Sequence, residues 1–175
     1  MVRLAVEDSD WLHLSDWESV QTGWVRTRTV LEYHQNAINR YLGKASGEGE
    51  EEDPELLSAS ADALTTSKKV QTEVEDWLQG QADASDDVRV RLLCGADLLE
   101  SFAVPGLWED EDIETIVRDF GIVCISREGS NPQKFVYEND VLTRHQRRID
   151  IVTEWISNEI SATKVRRAIR RGESI

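Results

Sequence analysis

VRVRLLCGADLLESF, residues 88–102, starts with β-branched residues alternating with arginine and ends on a leucine-rich stretch. The alternation predicts a strand over 88–94. Gly95-Ala96-Asp97 ends it, and LLESFA starts a helix. The same order repeats downstream. Ile113, Ile116, Val117 and Phe120 share one face of a helix expected over Glu111–Phe120, and Gly121 stops it. IVCIS (122–126) is a near-continuous apolar strand of the kind buried on both faces. Residues 127–132 read as a loop. A short helix around Glu138–His145 and a strand at Asp150–Glu154 follow. Asn158 and Ser161 then introduce a basic helix over Thr163–Arg171.

Strands alternating with helices define an α/β fold with a parallel sheet and right-handed crossovers. Ligands of such sheets sit beyond the carboxyl ends of the strands. Functional residues are therefore expected at Ser15–Trp17, Gly95–Asp97, Arg127 and Trp155–Lys164.

Upstream, WLHLS (11–15) alternates and suits a half-buried strand. A helix over Trp17–Leu42 is expected next, because Val20, Trp24, Val30, Leu31, Ala37, Ile38, Tyr41 and Leu42 recur at intervals built from threes and fours. Gly43 would end it. Residues 44–87 differ in kind. Thirteen acids and three lysines give that stretch most of the chain's net charge of −14. It is rich in Ser, Ala and Gly, so burial cannot offset chain entropy, and a disordered acidic insert is expected. VQTEVEDWLQ (70–79) would form a turn or two of transient helix around Trp77.

The 175 residues suit one ordinary domain, with 39% apolar and 31% charged residues. The acidic balance disfavours nucleic acid and anionic membrane as partners. The arginines between Arg144 and Arg171 do not reverse that, since a phosphate site explains them. No apolar run reaches the ~18 residues a membrane span needs. The start, MVRLAVEDSD, lacks a signal-peptide core. Cys94 and Cys124 each lie in an apolar run and read as buried thiols of a reducing compartment. His13, His34 and His145 lack ligand spacing, so no metal site is expected.

Three constellations carry chemistry. NEISATKVRRAIRRG (158–172) places Ser161 as N-cap and Thr163 and Lys164 in a first helical turn, with Arg166 and Arg167 behind them. Unpaired N–H groups, hydroxyls and cationic heads at a helix start can cradle a polyphosphate. The alternative is a capped surface helix with a solvated basic face. Basic residues oppose the dipole in a first turn, which favours an anionic ligand. In LLCGADLLESF (92–102), Gly95 allows close approach to the backbone, and Asp97 either accepts from a ribose hydroxyl or an amide or caps the next helix. Trp108, after Pro105-Gly106-Leu107, either stacks on a planar ring or plugs the edge of the core.

CGADLLESFAVPGLW (94–108), FGIVCISREG (120–129) and EWISNEISATKVRRAIRRGESI (154–175) resemble the eukaryotic nicotinamide mononucleotide adenylyltransferases. DWESVQTGWVRTRTVLEYHQ (16–35) resembles the segment before that family's variable central insert. The resemblance covers 1–43 and 88–175, and the insert at 44–87 falls where the family varies. It implies a Rossmann-like nucleotidyltransferase sheet with flanking helices. It also implies attack by the 5′-phosphate of nicotinamide or nicotinate mononucleotide on the α-phosphorus of ATP, with Mg²⁺ carried on the ATP phosphates. Trp24, Thr27, Leu107 and Trp108 would hold the mononucleotide. Gly95, Asp97, Arg127 and Asn158 would line the nucleotide pocket. Ser161, Thr163, Lys164 and Arg166 would grip the phosphates, with Lys164 and Arg166 catalytic. A homo-oligomer and an intracellular place, nucleus or cytoplasm, fit the resemblance.

The family begins with a strand leading into a Gly-x-Phe-x-Pro-x-x-x-x-His loop, and no such stretch occurs here. The resemblance therefore implies a partial chain or shortened isoform, with a sheet incomplete at both ends. Poor independent folding and little transferase activity are the expectation. The alternative is a non-catalytic isoform acting as a mononucleotide-binding or chaperone-like interaction protein.

Overall fold

A computed structural model describes residues 2–42, 88–126, 129–154 and 162–173. The chain divides into two compact units, Met1–Val90 and Arg91–Ile175. The insert at 44–87, the stop at Gly43 and the helix at 70–79 lie outside the described residues.

Among its described residues the first unit holds two α-helices, α1 (Val2–Val6) and α2 (Thr27–Tyr41), with a 3-10 turn at Trp17–Val20 between them. Residues 11–15 are not a strand. The Ser9 hydroxyl accepts the backbone N–H of Leu12 at 2.9 Å and of Trp11 at 3.4 Å. Trp11 and Leu12 are both exposed, so the alternation there does not mark a buried face. The long helix expected from Trp17 is also interrupted. Gly23 has φ +99, a left-handed value at which a right-handed helix cannot run. The helix starts at Thr27, and Trp24 lies before it rather than on it. From there the periodicity holds, with Leu31, Ala37 and Ile38 buried. Trp17 stacks on Tyr33 at 4.1 Å between ring centroids, and Val25 and Val30 pack against the pair. The buried Trp17 Nε1 has no hydrogen-bond partner among the described residues, and an unsatisfied buried donor costs about 1–3 kcal/mol.

The strand expected from Val88 starts only at Leu92, because Gln35 of α2 takes the backbone groups before it. Its Nε2 donates to the Val88 carbonyl at 3.0 Å, and its Oε1 accepts from the Val90 N–H at 2.8 Å.

In the second unit β1 (Leu92–Gly95), β2 (Ile122–Ser126) and β3 (Ile149–Thr153) form a parallel sheet in that order. Cys94 pairs with Cys124, and Cys124 with Ile151. Parallel register puts these residues on one face. Ile122 and Cys124 are wholly buried on that face, with Leu99, Ile116, Val117 and Leu142 in the core. The other face carries Leu93, Ile125 and Val152, all exposed. IVCIS is therefore buried on one face, not two.

The helices between strands follow from local chemistry. α3 (Ala96–Ser101) leaves β1 directly. α4 (Asp110–Thr115) starts with Asp110, Glu111 and Asp112, which complement the helix dipole. It widens into a π turn at Ile116–Phe120, and the Gly121 N–H closes that turn on the Ile116 carbonyl at 2.9 Å. Pro132, expected in a loop, is already helical. Asn131 caps α5 (Pro132–Glu138) by accepting from the Lys134 N–H, and Asn139 caps α6 (Asp140–Arg144) through the Leu142 N–H. A short 3-10 turn at Gln146–Arg148 leads into β3. α7 (Ala162–Arg171) is the expected basic helix.

Candidate functional site

A parallel sheet presents all its strand ends at one edge. Here β1 ends at Gly95, β2 at Ser126 and β3 at Thr153, with Gly95, Ile125 and Val152 side by side. Ser15–Trp17, expected at a strand end, follows no strand, since residues 11–15 form none.

At the end of β1, Gly95 is the N-cap residue of α3, with no side-chain cap. Asp97 therefore does not cap the helix. It sits in the first turn, exposed, and its carboxylate folds back over Gly95. A Cβ on Gly95 would meet Asp97 Oδ1 at 2.6 Å. Beneath this turn lie the thiols of Cys94 and Cys124, both free and buried. Burial pushes the Cys94 thiol up to about 12, and the Cys124 thiol and the Asp97 carboxylate push the same way. Burial also raises Cys124, with Glu100 and Asp97 adding to it, while its hydrogen bond with Cys94 pulls it down. Neither thiol is a ready nucleophile.

From the end of α3 at Ser101 the chain runs on through a loop to Trp108. The indole Nε1–H donates to Ser101 Oγ at 3.0 Å, and Phe102 meets the indole edge-to-face at 4.8 Å and 75°. The loop tryptophan thus has packing partners, six and seven residues upstream, and stays half-buried. Leu107 beside it is exposed. These partners were missed from sequence, where Ser101 and Phe102 read only as part of the helix that LLESFA starts.

Thr163, Lys164 and Arg166 fall in the first turns of α7. Lys164 and Arg166 are exposed. Two residues apart, they do not share a helix face, whereas Lys164 and Arg167 do. Arg127, Asn158 and Ser161 lie outside the described residues. In the first unit, Thr27 is the first residue of α2, and Trp24 is 91% exposed. No group of three or more His, Cys, Asp or Glu among the described residues could hold a metal ion. No helix among them is long and apolar enough to cross a membrane.

A parallel α/β sheet, with a Gly-x-Asp turn at its carboxyl edge and a basic helix after its third strand, defines a Rossmann-like nucleotidyltransferase architecture. Similarity to known proteins narrows the class. The chain is 46% identical over 176 residues to the nicotinamide-nucleotide adenylyltransferase of Drosophila melanogaster, covering all of this chain and 41% of that protein. It is 42% identical over 175 residues to nicotinamide/nicotinic acid mononucleotide adenylyltransferase 1 of Bos taurus, covering 60% of it. It is 30% identical over 210 residues to nicotinamide/nicotinic acid mononucleotide adenylyltransferase 2 of Danio rerio, covering 99% of this chain and 69% of that protein. The chain belongs to the nicotinamide/nicotinic acid mononucleotide adenylyltransferase family. It spans about half the length of the first two relatives. No family model matches it.

Proposed function

We propose that this chain carries mononucleotide-binding and phosphate-binding parts of an adenylyltransferase of NAD biosynthesis. The 5′-phosphate of nicotinamide or nicotinate mononucleotide attacks the α-phosphorus of ATP. A new P–O bond forms, the α–β bridge breaks, and pyrophosphate leaves with Mg²⁺ on its oxygens. The products are NAD or its deamido form.

The observation that carries this reading is the single span from Gly95 to Trp108. It presents a glycine and an exposed carboxylate at the carboxyl end of β1 and, in the loop beyond α3, an indole held by Ser101 and Phe102. Asp97 accepts from a ribose hydroxyl, and the missing Cβ of Gly95 leaves room for that carboxylate over the turn. Trp108 stacks on the pyridine ring, with Leu107 beside it. Thr163, Lys164 and Arg166 hold the ATP phosphates, and the two cations neutralise charge that builds in transfer. The resemblance adds Arg127, Asn158 and Ser161 to the nucleotide side, and Trp24 and Thr27 of the first unit to the mononucleotide side. It also groups 1–43 with 88–175 as one nucleotidyltransferase domain around the acidic insert, inside the cell.

The test is calorimetric titration of the chain with nicotinamide mononucleotide and with Mg²⁺–ATP, followed by an assay of NAD formation. Saturable binding of both is expected. In an active chain, Lys164→Ala lowers turnover about a hundredfold or more. A folded chain that binds neither ligand overturns the proposal.

A further inference from the structure

Ser101 has one hydroxyl proton, and its neighbours decide where it goes. The hydroxyl donates to the Leu98 carbonyl at 2.6 Å, so its lone pairs are left to accept. The Trp108 Nε1–H fills that acceptor at 3.0 Å. The indole is thus held at two points, by a hydrogen bond at Nε1 and by Phe102 edge-to-face. Two turns bring it back to the helix it left, through Val104 N–H to Ser101 O at 3.0 Å and Leu107 N–H to Val104 O at 3.2 Å. Residues 103–107 are all exposed, and the contacts described for the ring are those with Ser101 and Phe102. A ring held before its ligand arrives need not be ordered by it, and that saving appears as affinity.

We propose that Ser101 is a positioning residue: its hydroxyl sets the plane of the Trp108 indole and through it the affinity for the flat ring of the mononucleotide. This rests on the stacking role proposed for Trp108.

The test uses the full chain and four variants, Ser101→Ala, Ser101→Thr, Ser101→Val and Trp108→Ala. Proton–nitrogen NMR of the indole groups reads the lock directly, with Trp108 identified by the signal lost in Trp108→Ala. In Ser101→Ala and Ser101→Val that signal should shift and exchange faster with solvent. In Ser101→Thr, which restores the hydroxyl, it should not. In parallel, the Kd for nicotinamide mononucleotide should rise about fivefold in Ala and Val, the worth of one hydrogen bond. It should return to within about twofold of the parent in Thr, and the Kd for Mg²⁺–ATP should stay level in all three. Trp108→Ala should weaken the mononucleotide about tenfold or more. If Trp108→Ala weakens binding while Ser101→Ala does not, or if the indole signal ignores Ser101, the inference falls and the stacking role stands. If Trp108→Ala binds like the parent, or the parent binds no mononucleotide, the stacking role falls and takes the inference with it.

Discussion

The Asp97 Oδ1 atom stands 2.6 Å from the point that a Cβ on Gly95 would occupy. The backbone does not demand glycine there, since φ −82 and ψ 164 suit any residue. What the missing Cβ leaves is room for the carboxylate. Alanine at 95 would push a flexible side chain aside and leave the strand intact. Gly95→Ala should therefore shift the melting temperature by no more than about 2 °C, since it meets none of the mechanisms behind large losses. Ligand affinity at the sheet edge should fall about tenfold, because Asp97 can no longer lie over the turn. Asp97→Asn should lose a similar factor without the steric change. Scanning fluorimetry with calorimetric titration checks both, and a Gly95→Ala chain that binds like the parent removes Asp97 from the site.

Gly121 is a glycine of the other kind. Its φ is +82, and a Cβ would lie 2.9 Å from the Arg148 carbonyl oxygen and 3.3 Å from Arg91 Nε. The nearest obstacle is backbone, which cannot swing away. Gly121→Ala should cost about 1–3 kcal/mol from the left-handed conformation, and more from the contact. The urea midpoint should fall with an unchanged slope. A neutral substitution would mean that this turn does not join the π turn to β2 as described.

Sequence reading succeeded where structure is local. IVCIS lies between Gly121 and a charged pair, and β2 occupies those five residues. Ile113, Ile116, Val117 and Phe120 share a buried helix face because their spacing alone decides it. It failed where a distant side chain intervenes. Val88 and Val90 alternate like a strand, yet Gln35 claims their backbone groups from more than fifty residues away. It also failed where a rule was present and unused. Asn131-Pro132 is an N-cap followed by proline at the first helical position, and α5 starts there. At the site, the basic first turns of α7 and the Gly-Ala-Asp turn were legible as composition. That Asp97 covers Gly95 instead of capping α3, and that Phe102 and Ser101 hold Trp108, depends on side-chain directions that no spacing encodes.

Arg91 closes the opposite end of the sheet. One guanidinium donates to Asp150 Oδ2 at 2.6 Å, to the Ile122 carbonyl at 3.0 Å and to the Arg148 carbonyl at 3.2 Å. The ion pair is partly exposed and contributes little, about 0–1 kcal/mol. The carbonyl bonds matter more, because they tie β1 to the segments leading into β2 and β3. Arg91→Ala should destabilise by about 1–3 kcal/mol. Asp150→Asn should cost less than half of that. Arg91→Lys should recover little, since a point charge cannot span three acceptors. Chemical denaturation of the three variants gives the ranking, and equal losses in Arg91→Ala and Asp150→Asn would reassign the stability to the ion pair.

Cys94 and Cys124 stand in register on β1 and β2, free and buried. Burial holds the Cys94 proton up to about 12, against an ordinary value of 9.0. The folded chain therefore keeps that proton where the unfolded chain has released it. Between those two values the unfolded state binds fewer protons, so stability falls as pH rises through the window. Below pH 9 the contribution is fully present. Denaturation midpoints should slope downward above pH 9, and Cys94→Ala should flatten part of the slope. Alkylation offers an independent check, because the thiolate is the reacting species. At pH 8 both thiols should resist iodoacetamide in the folded chain and react within minutes in urea. Rapid labelling of Cys94 under native conditions would place it outside the core, and would remove the neighbour whose pKa responds to the Asp97 carboxylate.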